Sequence, residues 1–367
     1  MKIALVTIHN ANNYGAIFQA YATQCVLSGY GDVEIINYNN RHVSRSFDLI
    51  RLELSFHGVL GTVKDVFRYL PRRRVIRKFE KFVSSNIKQT DVYERCDLKQ
   101  GSADLYDVYV AGSDQIWNPD CVSEKKSIDD IYFLEFVQSG AKKISYASSI
   151  GSYKYSSSEE TLIKKYLGTF SGVSVREADS KVYIQELLGR NVRHVLDPTL
   201  LLDKTDWLRV AGIDQVVEPN EKYILLYSIP KSPLVNKMVE VVSKSLKIRV
   251  VAIDQGLFSG AKVDKQVRDA GPEEFIKLFA RAEFVITDSF HGVCFALNFE
   301  RSFVVTTVKK HANRIESLLS LVGLQERLCE NEEDLKQLEY QVDFSRSCQK
   351  LKIAREKSLE YLNRELR

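Results

Sequence analysis

Several familiar signatures are missing from the 367-residue sequence, and each absence removes a class of function. There is no Gly-x-Gly-x-x-Gly and no Gly-x-x-x-x-Gly-Lys-Ser/Thr, so nicotinamide-dinucleotide and P-loop chemistry lose support. The six cysteines (Cys25, Cys96, Cys121, Cys294, Cys329, Cys348) form no CxxC pair and no zinc spacing. Idle thiols are therefore expected, with neither a disulfide framework nor a metal site. No stretch approaches the roughly 18 apolar residues that a membrane span needs. The opening MKIALVTIHNANNYG carries one lysine and an apolar run too short for a signal peptide, so a cytoplasmic protein is expected. With only 7 Pro and 18 Gly, a disordered or fibrous chain is excluded as well.

What is present belongs to a globular chain large enough for two domains: 44% hydrophobic, 27% charged and 10% aromatic residues. The net charge of +4 is unevenly placed. Between Lys64 and Lys88 stand nine basic residues and two acids, a local charge of +7 that leaves −3 on the rest. Within this segment Val75, Phe79, Phe82 and Val83 share one helical face. Two readings stand side by side: a surface helix packing that face on the protein, and a segment docking to an anionic membrane. Nucleic acid is not expected as a partner, because the remainder is slightly acidic and no nucleic-acid-binding motif occurs.

Short apolar runs alternate with helical segments. KIALVTI (2–8), VEIINY (33–38), DVYVAG (107–112), KKISYAS (142–148), GVSVRE (172–177) and RHVLD (193–197) read as strands. After a polar, Pro-containing stretch near 212–221, a second series follows: YILLYSI (223–229), IRVVAID (248–254), AEFVITD (282–288) and SFVVTTV (302–308). Alternation of this kind implies parallel sheets with right-handed crossovers. We expect an α/β protein of two Rossmann-like domains facing a cleft, at 1–211 and 222–344, followed by a charged helix over 345–367.

In open α/β sheets ligands bind beyond the carboxyl ends of the strands, and polar clusters recur at those ends. Asn12 to Gly15 follow the first strand; Gly112 to Pro119 follow DVYVA; Ser148, Ser149 and Gly151 follow KKISYA. Arg176-Glu177 closes GVSV, Asp197-Pro198 closes RHVL, and Thr287 to Gly292 follow AEFVI. His291 sits where a strand turns into a helix, a place suited to proton exchange or anion binding. Arg176 suits bidentate binding of carboxylate or phosphate, or an ion pair with Glu177 or another acid. Trp117, between Asp114 and Asn118, is either core or a platform for a sugar ring.

Four stretches, in order and spacing, resemble the polysaccharide pyruvyl transferase family: NNYGAIFQAYATQ, VAGSDQIWNP, SVREADS with VLDPTLLL, and TDSFHGVCFALNF followed by RIESLL. The resemblance implies a GT-B-like pair of domains with the final helix crossing back to the first. It implies transfer of a pyruvyl group from phosphoenolpyruvate, as co-substrate, to two hydroxyls of a sugar in surface polysaccharide assembly, with no metal or other cofactor. The acceptor would include lipid-linked oligosaccharides at the inner face of a membrane. By the same resemblance His291, Asp114 and Arg176 are the catalytic candidates. Ser289, Gly292, Lys309, Lys310 and Arg314 would hold the donor, and Asn13, Tyr14, Gly15, Gln19, Ser113, Gln115 and Trp117 the acceptor. One position departs from the pattern: better-known members carry Arg two residues before the histidine, where this chain has Ser289. Lys309, Lys310 or Arg314 would then supply the missing cation. A sugar-nucleotide glycosyltransferase of the same fold, and a non-catalytic carbohydrate-binding relative, are the alternatives.

Overall fold

The computed structural model describes residues 1–47, 56–103, 105–138, 140–213, 221–308 and 312–367. These divide into two compact units: Met1–Ser46 with Val83–Leu201 and Leu351–Arg367, and Phe47–Phe82 with Leu202–Lys350. The division differs from the contiguous one at 211 and 345. Residues 47–82 group with the second unit, because Lys78 donates to the Asp269 carbonyl (2.8 Å) and pairs with Glu274 (2.8 Å). The last helix, Ser345–Leu366, enters the first unit from Leu351 onward. There Tyr361 Oη donates to the Ser145 carbonyl and Ser358 Oγ accepts from Leu196 N.

In the first unit, β1 (Lys2–Val6), β2 (Asp32–Tyr38), β3 (Gln89–Tyr93), β4 (Val108–Ala111) and β5 (Lys142–Ser145) form a parallel sheet in the order β3-β2-β1-β4-β5. A short parallel pair, β6 (Ser174–Val175) and β7 (Arg193–His194), lies beyond β5, with bridges Ile144–Gly172 and Ser148–Val175. In the second unit, β8 (Tyr223–Tyr227), β9 (Arg249–Ile253), β10 (Lys265–Val267), β11 (Phe284–Thr287) and β12 (Ser302–Val305) repeat the pattern as β10-β9-β8-β11-β12, again all parallel. Both sheets are doubly wound. Each therefore has a topological switch point, between β1 and β4 in one and between β8 and β11 in the other, where ligand crevices form.

The central strands read cleanly from sequence because both faces are covered: KIALV is buried from Ile3 on and YILLY throughout. The edge strands β3 (QTDVY) and β10 (KQV) are polar and partly exposed, so no apolar run announces them. Aromatic side chains fill both cores. Trp117 stacks on Phe133 (centroids 5.3 Å apart) in the first unit, and Trp207, Phe275, Phe279 and Tyr227 surround Phe295 or one another in the second. Each such ring contributes about 1.5–3 kcal/mol by burial.

All of the basic segment but its last two residues lies in one long helix, Phe56–Asn86. Val75, Ile76, Phe79 and Phe82 are buried, so its apolar face is spent on the protein's own core. None of the six cysteines is in a disulfide, and burial pushes the Cys329 thiol up to about 11, which keeps it protonated and unreactive.

Candidate functional site

The loops at the two switch points are built differently. In the first unit the loop after β1 leads into helix Tyr14–Leu27, N-capped by Asn13, whose Oδ1 accepts from Ala16 N (3.3 Å). Gln19 is fully buried one turn on. Its amide donates to the Ile8 carbonyl (2.8 Å), the Ala16 carbonyl (2.9 Å) and Thr7 Oγ1 (3.0 Å), and Thr7 Oγ1 donates to the Ser113 carbonyl (2.8 Å). The β1 and β4 loops are thereby tied together across the switch point.

Beside them lies a buried charge network. Arg176, 4% exposed, pairs through Nη1 with Asp197 Oδ2 (2.8 Å) and through Nε with Glu177 Oε1 (3.2 Å). Coulombic attraction from Glu177, Asp197 and Asp114 outweighs desolvation and raises the guanidinium pKa further, so Arg176 stays charged. Ser149 Oγ donates to Glu177 Oε1 (2.6 Å), and Ser113 Oγ to Asp197 Oδ2 (3.4 Å). Asp197 Oδ1 also caps the following turn through Thr199 N and Thr199 Oγ1. One cation thus ties β6 and the segment after β7 to the ends of β4 and β5. Asp114 closes the arrangement in a left-handed conformation (φ 72°), its Oδ1 accepting from Gln115 N (2.8 Å). A non-glycine residue held there is strained by about 1–3 kcal/mol, a cost tolerated at functional positions.

In the second unit β11 ends at Thr287 and leads into Asp288 and Ser289. Asp288 is buried, and its carboxylate accepts from Ile229 N (2.7 Å), Ser232 N (3.0 Å) and Ser228 Oγ (2.6 Å). It therefore sets the shape of the β8 loop on the opposite side of the switch point. Thr287 Oγ1 donates to the Tyr227 carbonyl (2.6 Å) and accepts from Ser289 N (3.0 Å). Ser289 N-caps helix Phe290–Asn298, its Oγ accepting from Gly292 N. His291 falls in the first turn, 8% exposed, its ring edge-on to Phe290 (5.2 Å), and the Arg314 guanidinium lies 5.9 Å over the Phe290 ring. A histidine at a helix N-terminus with a guanidinium beside its neighbour is a setting for an anion and a transferable proton.

Gly292 is required by this packing. A Cβ there would overlap the Thr287 hydroxyl, which is held by two hydrogen bonds and has no room to yield. Gly292→Ala gains up to about 1 kcal/mol of helix propensity, but overpacking costs about 1–3 kcal/mol. A net loss of stability, read as a lower denaturant midpoint, is expected.

The residues expected from sequence thus separate into two groups. Asn13, Asp114, Gln115 and Ser289 stand at or next to strand ends with some exposure, His291 is buried in the first helical turn after β11, and Arg314 is part-exposed in helix Ala312–Val322. Gln19 and Trp117, expected to line an acceptor site, are enclosed. Gln19 spends its amide on the loop, and Trp117 donates Nε1 to the Tyr132 carbonyl (3.0 Å) while its ring fills the core. Ser113, Tyr14, Gly15 and Gly292 are likewise buried supports. Lys309 and Lys310 lie outside the described residues. Sequence reasoning assigned no role to Asp288 or Thr287 individually; the signal was two polar residues closing an otherwise apolar strand. Among the described residues no group of three or more His, Cys, Asp or Glu is placed to hold a metal ion, and no helix is long and apolar enough to cross a membrane.

Solved structures share the fold at low identity. A UDP-N-acetylglucosamine 2-epimerase assignment from Listeria monocytogenes aligns over 98% of this chain and 90% of its own, at 10% identity and a TM-score of 0.50. The Methanocaldococcus jannaschii UDP-GlcNAc 2-epimerase aligns over 96% and 99%, at 14% identity and 0.49. The Thermobaculum terrenum O-GlcNAc transferase aligns over all of this chain at 11% identity and 0.45, and this chain spans 64% of its length. Of these three, the Listeria structure carries the fold argument, and it agrees with the GT-B-like class. No curated protein matches the chain. A family model does, over residues 13–310. The chain belongs to the polysaccharide pyruvyl transferase family and is a transferase.

Proposed function

We propose that this transferase moves the pyruvyl group of phosphoenolpyruvate onto two hydroxyls of a sugar, forming a cyclic ketal during bacterial surface polysaccharide assembly on the cytoplasmic side of the membrane. Phosphoenolpyruvate carries a carboxylate and a phosphate, so its site needs cations and helix N-termini. We assign the donor to the second rim, at Ser289, His291 and Arg314, and the acceptor to the first rim around Asn13, Asp114 and Gln115. His291 protonates carbon 3 of the enol, leaving an oxocarbenium-like centre at carbon 2. A sugar hydroxyl attacks that carbon and gives its proton to a base, for which Asp114 is the candidate. Phosphate leaves with the C–O bonding pair, and a second hydroxyl closes the ring with loss of its proton. The sum is one ketal and one inorganic phosphate, with no external oxidant or reductant.

The observation that supports this reading is the placement of His291 in the first turn of a helix at the second switch point, with Arg314 over its neighbour. Arg314 stands as the candidate for the charge that Ser289 does not supply. Thermal denaturation with added ligands tests the donor class. At about 100 times its Kd, phosphoenolpyruvate adds ~2.7 kcal/mol to the native state and raises Tm by several degrees, whereas UDP- and GDP-sugars leave it unchanged. The opposite pattern transfers the assignment to a glycosyltransferase.

A further inference from the structure

We propose that the second unit docks on an anionic membrane surface through the exposed side chains of Leu70, Arg73, Arg74, Arg77 and Lys81 together with the exposed tip Leu257–Phe258. Burial of Val75, Ile76, Phe79 and Phe82 takes the apolar side of the helix for the protein's own core. The opposite side remains open. Arg73, Arg77 and Lys81 recur every four residues and, with Arg74, form one exposed cationic stripe. Leu70, 64% exposed, lies one turn before Arg73 and Arg74 at the start of the stripe.

A second element adjoins the stripe within the same unit. Arg74 pairs with Asp269 (3.6 Å), and Lys78 donates to the Asp269 carbonyl. The preceding residue, Arg268, donates from Nε to the Gly256 carbonyl (2.9 Å). Gly256 leads directly into Leu257 and Phe258, the latter 83% exposed, and Lys231 Nζ reaches the Phe258 carbonyl from the β8 loop (3.4 Å). Ile229 in that loop is also exposed, at 55%. Lys262 and Lys265 stand exposed just beyond.

Cations spread along a helix beside a few protruding apolar side chains match the interface of an anionic bilayer. Lys and Arg meet the headgroups there, and Leu and Phe enter the acyl boundary. An extended nucleic acid fits less well, since the chain outside 64–88 carries −3. The inference does not depend on the donor assigned above, and it would place the enzyme where a lipid-carried sugar is presented.

Co-sedimentation of the full chain with vesicles tests it, using phosphatidylcholine alone against phosphatidylcholine with about one-third phosphatidylglycerol. Retention on the anionic vesicles, lost as salt shortens the screening length, is expected. Arg73→Gln with Arg77→Gln should weaken that retention roughly tenfold or more, and Phe258→Ser should weaken it further, both with unchanged Tm. Equal retention on neutral and anionic vesicles, absence of retention, or binding to duplex DNA in preference to vesicles would overturn the proposal. Should the paired variant fold poorly, wild-type retention that is insensitive to salt overturns it equally.

Discussion

Replacing His291 by alanine is expected to lower turnover by about 10²–10⁴-fold, the range ascribed to a positioned general acid, while the protein keeps its fold. The expectation comes from where the ring is held. Ser289 caps the helix, Thr287 fixes Ser289 N, and Asp288 fixes the facing β8 loop, so His291 sits in the first turn of a helix whose start is pinned from three sides. The imidazole is buried and packs edge-on to Phe290, so alanine leaves a small cavity, but none of the hydrogen bonds that pin the helix start uses the ring. Stability should therefore change far less than rate. The loss should fall on kcat, with a smaller change in the KM for the donor, because the proton is needed in the transition state and the donor's charges are held mainly by other groups. His291→Gln keeps a hydrogen-bonding side chain of similar reach but carries no transferable proton, and it should be about as slow as alanine. Steady-state kinetics on both variants decide the matter, and unchanged turnover in either removes His291 from the catalytic residues.

The largest expected effect on stability lies in the first unit. Arg176→Met should cost about 3–5 kcal/mol, because it leaves the carboxylates of Asp197 and Glu177 buried without their counter-charge. Both are almost wholly buried, and each makes further hydrogen bonds that hold it in place: Asp197 to Thr199 and Ser113, Glu177 to Ser149 and Ser180. Neither can swing out to water without giving up those bonds. Arg176→Lys restores the charge but not the fork that reaches both acids, so it should recover only part of the loss. Denaturant unfolding followed by intrinsic fluorescence reads the effect, since Trp117 reports on this unit and Trp207 on the other. A loss under about 1 kcal/mol would mean that the network does not organise the rim. On this account Arg176 shapes the first rim and the orientation of Asp114, which explains why an arginine stands at a strand end without being open to solvent.

Much of the fold was legible because its central strands are short apolar runs with both faces covered, and the alternation of KIALV, VYVA, YILLY and FVIT with helical segments leaves few topologies. The polar edge strands Gln89–Tyr93 and Lys265–Val267 escaped, since both are largely uncovered and carry no apolar run. The assignment of residues 47–82 to the second unit also escaped, because it rests on contacts such as Lys78 with Asp269, 191 positions apart. At the site, the sequence identified the strand ends but not the direction of each side chain. Gln19 and Gln115 look alike as polar residues after strands; one is consumed by backbone carbonyls and the other stands half open. Asp288 was passed over because its three partners lie some sixty residues earlier, in the β8 loop. The basic segment was correctly located, yet which of its faces is free depends on the core it packs against.

Inorganic phosphate release, measured with and without a lipid-linked or model glycoside, tests pyruvyl transfer from phosphoenolpyruvate to a sugar. Release should require both phosphoenolpyruvate and the glycoside, yield one phosphate for each ketal formed, and fall about a hundredfold or more in His291→Ala. Folded wild-type protein that releases no phosphate with any glycoside offered, or releases it at the same rate without one, would contradict it.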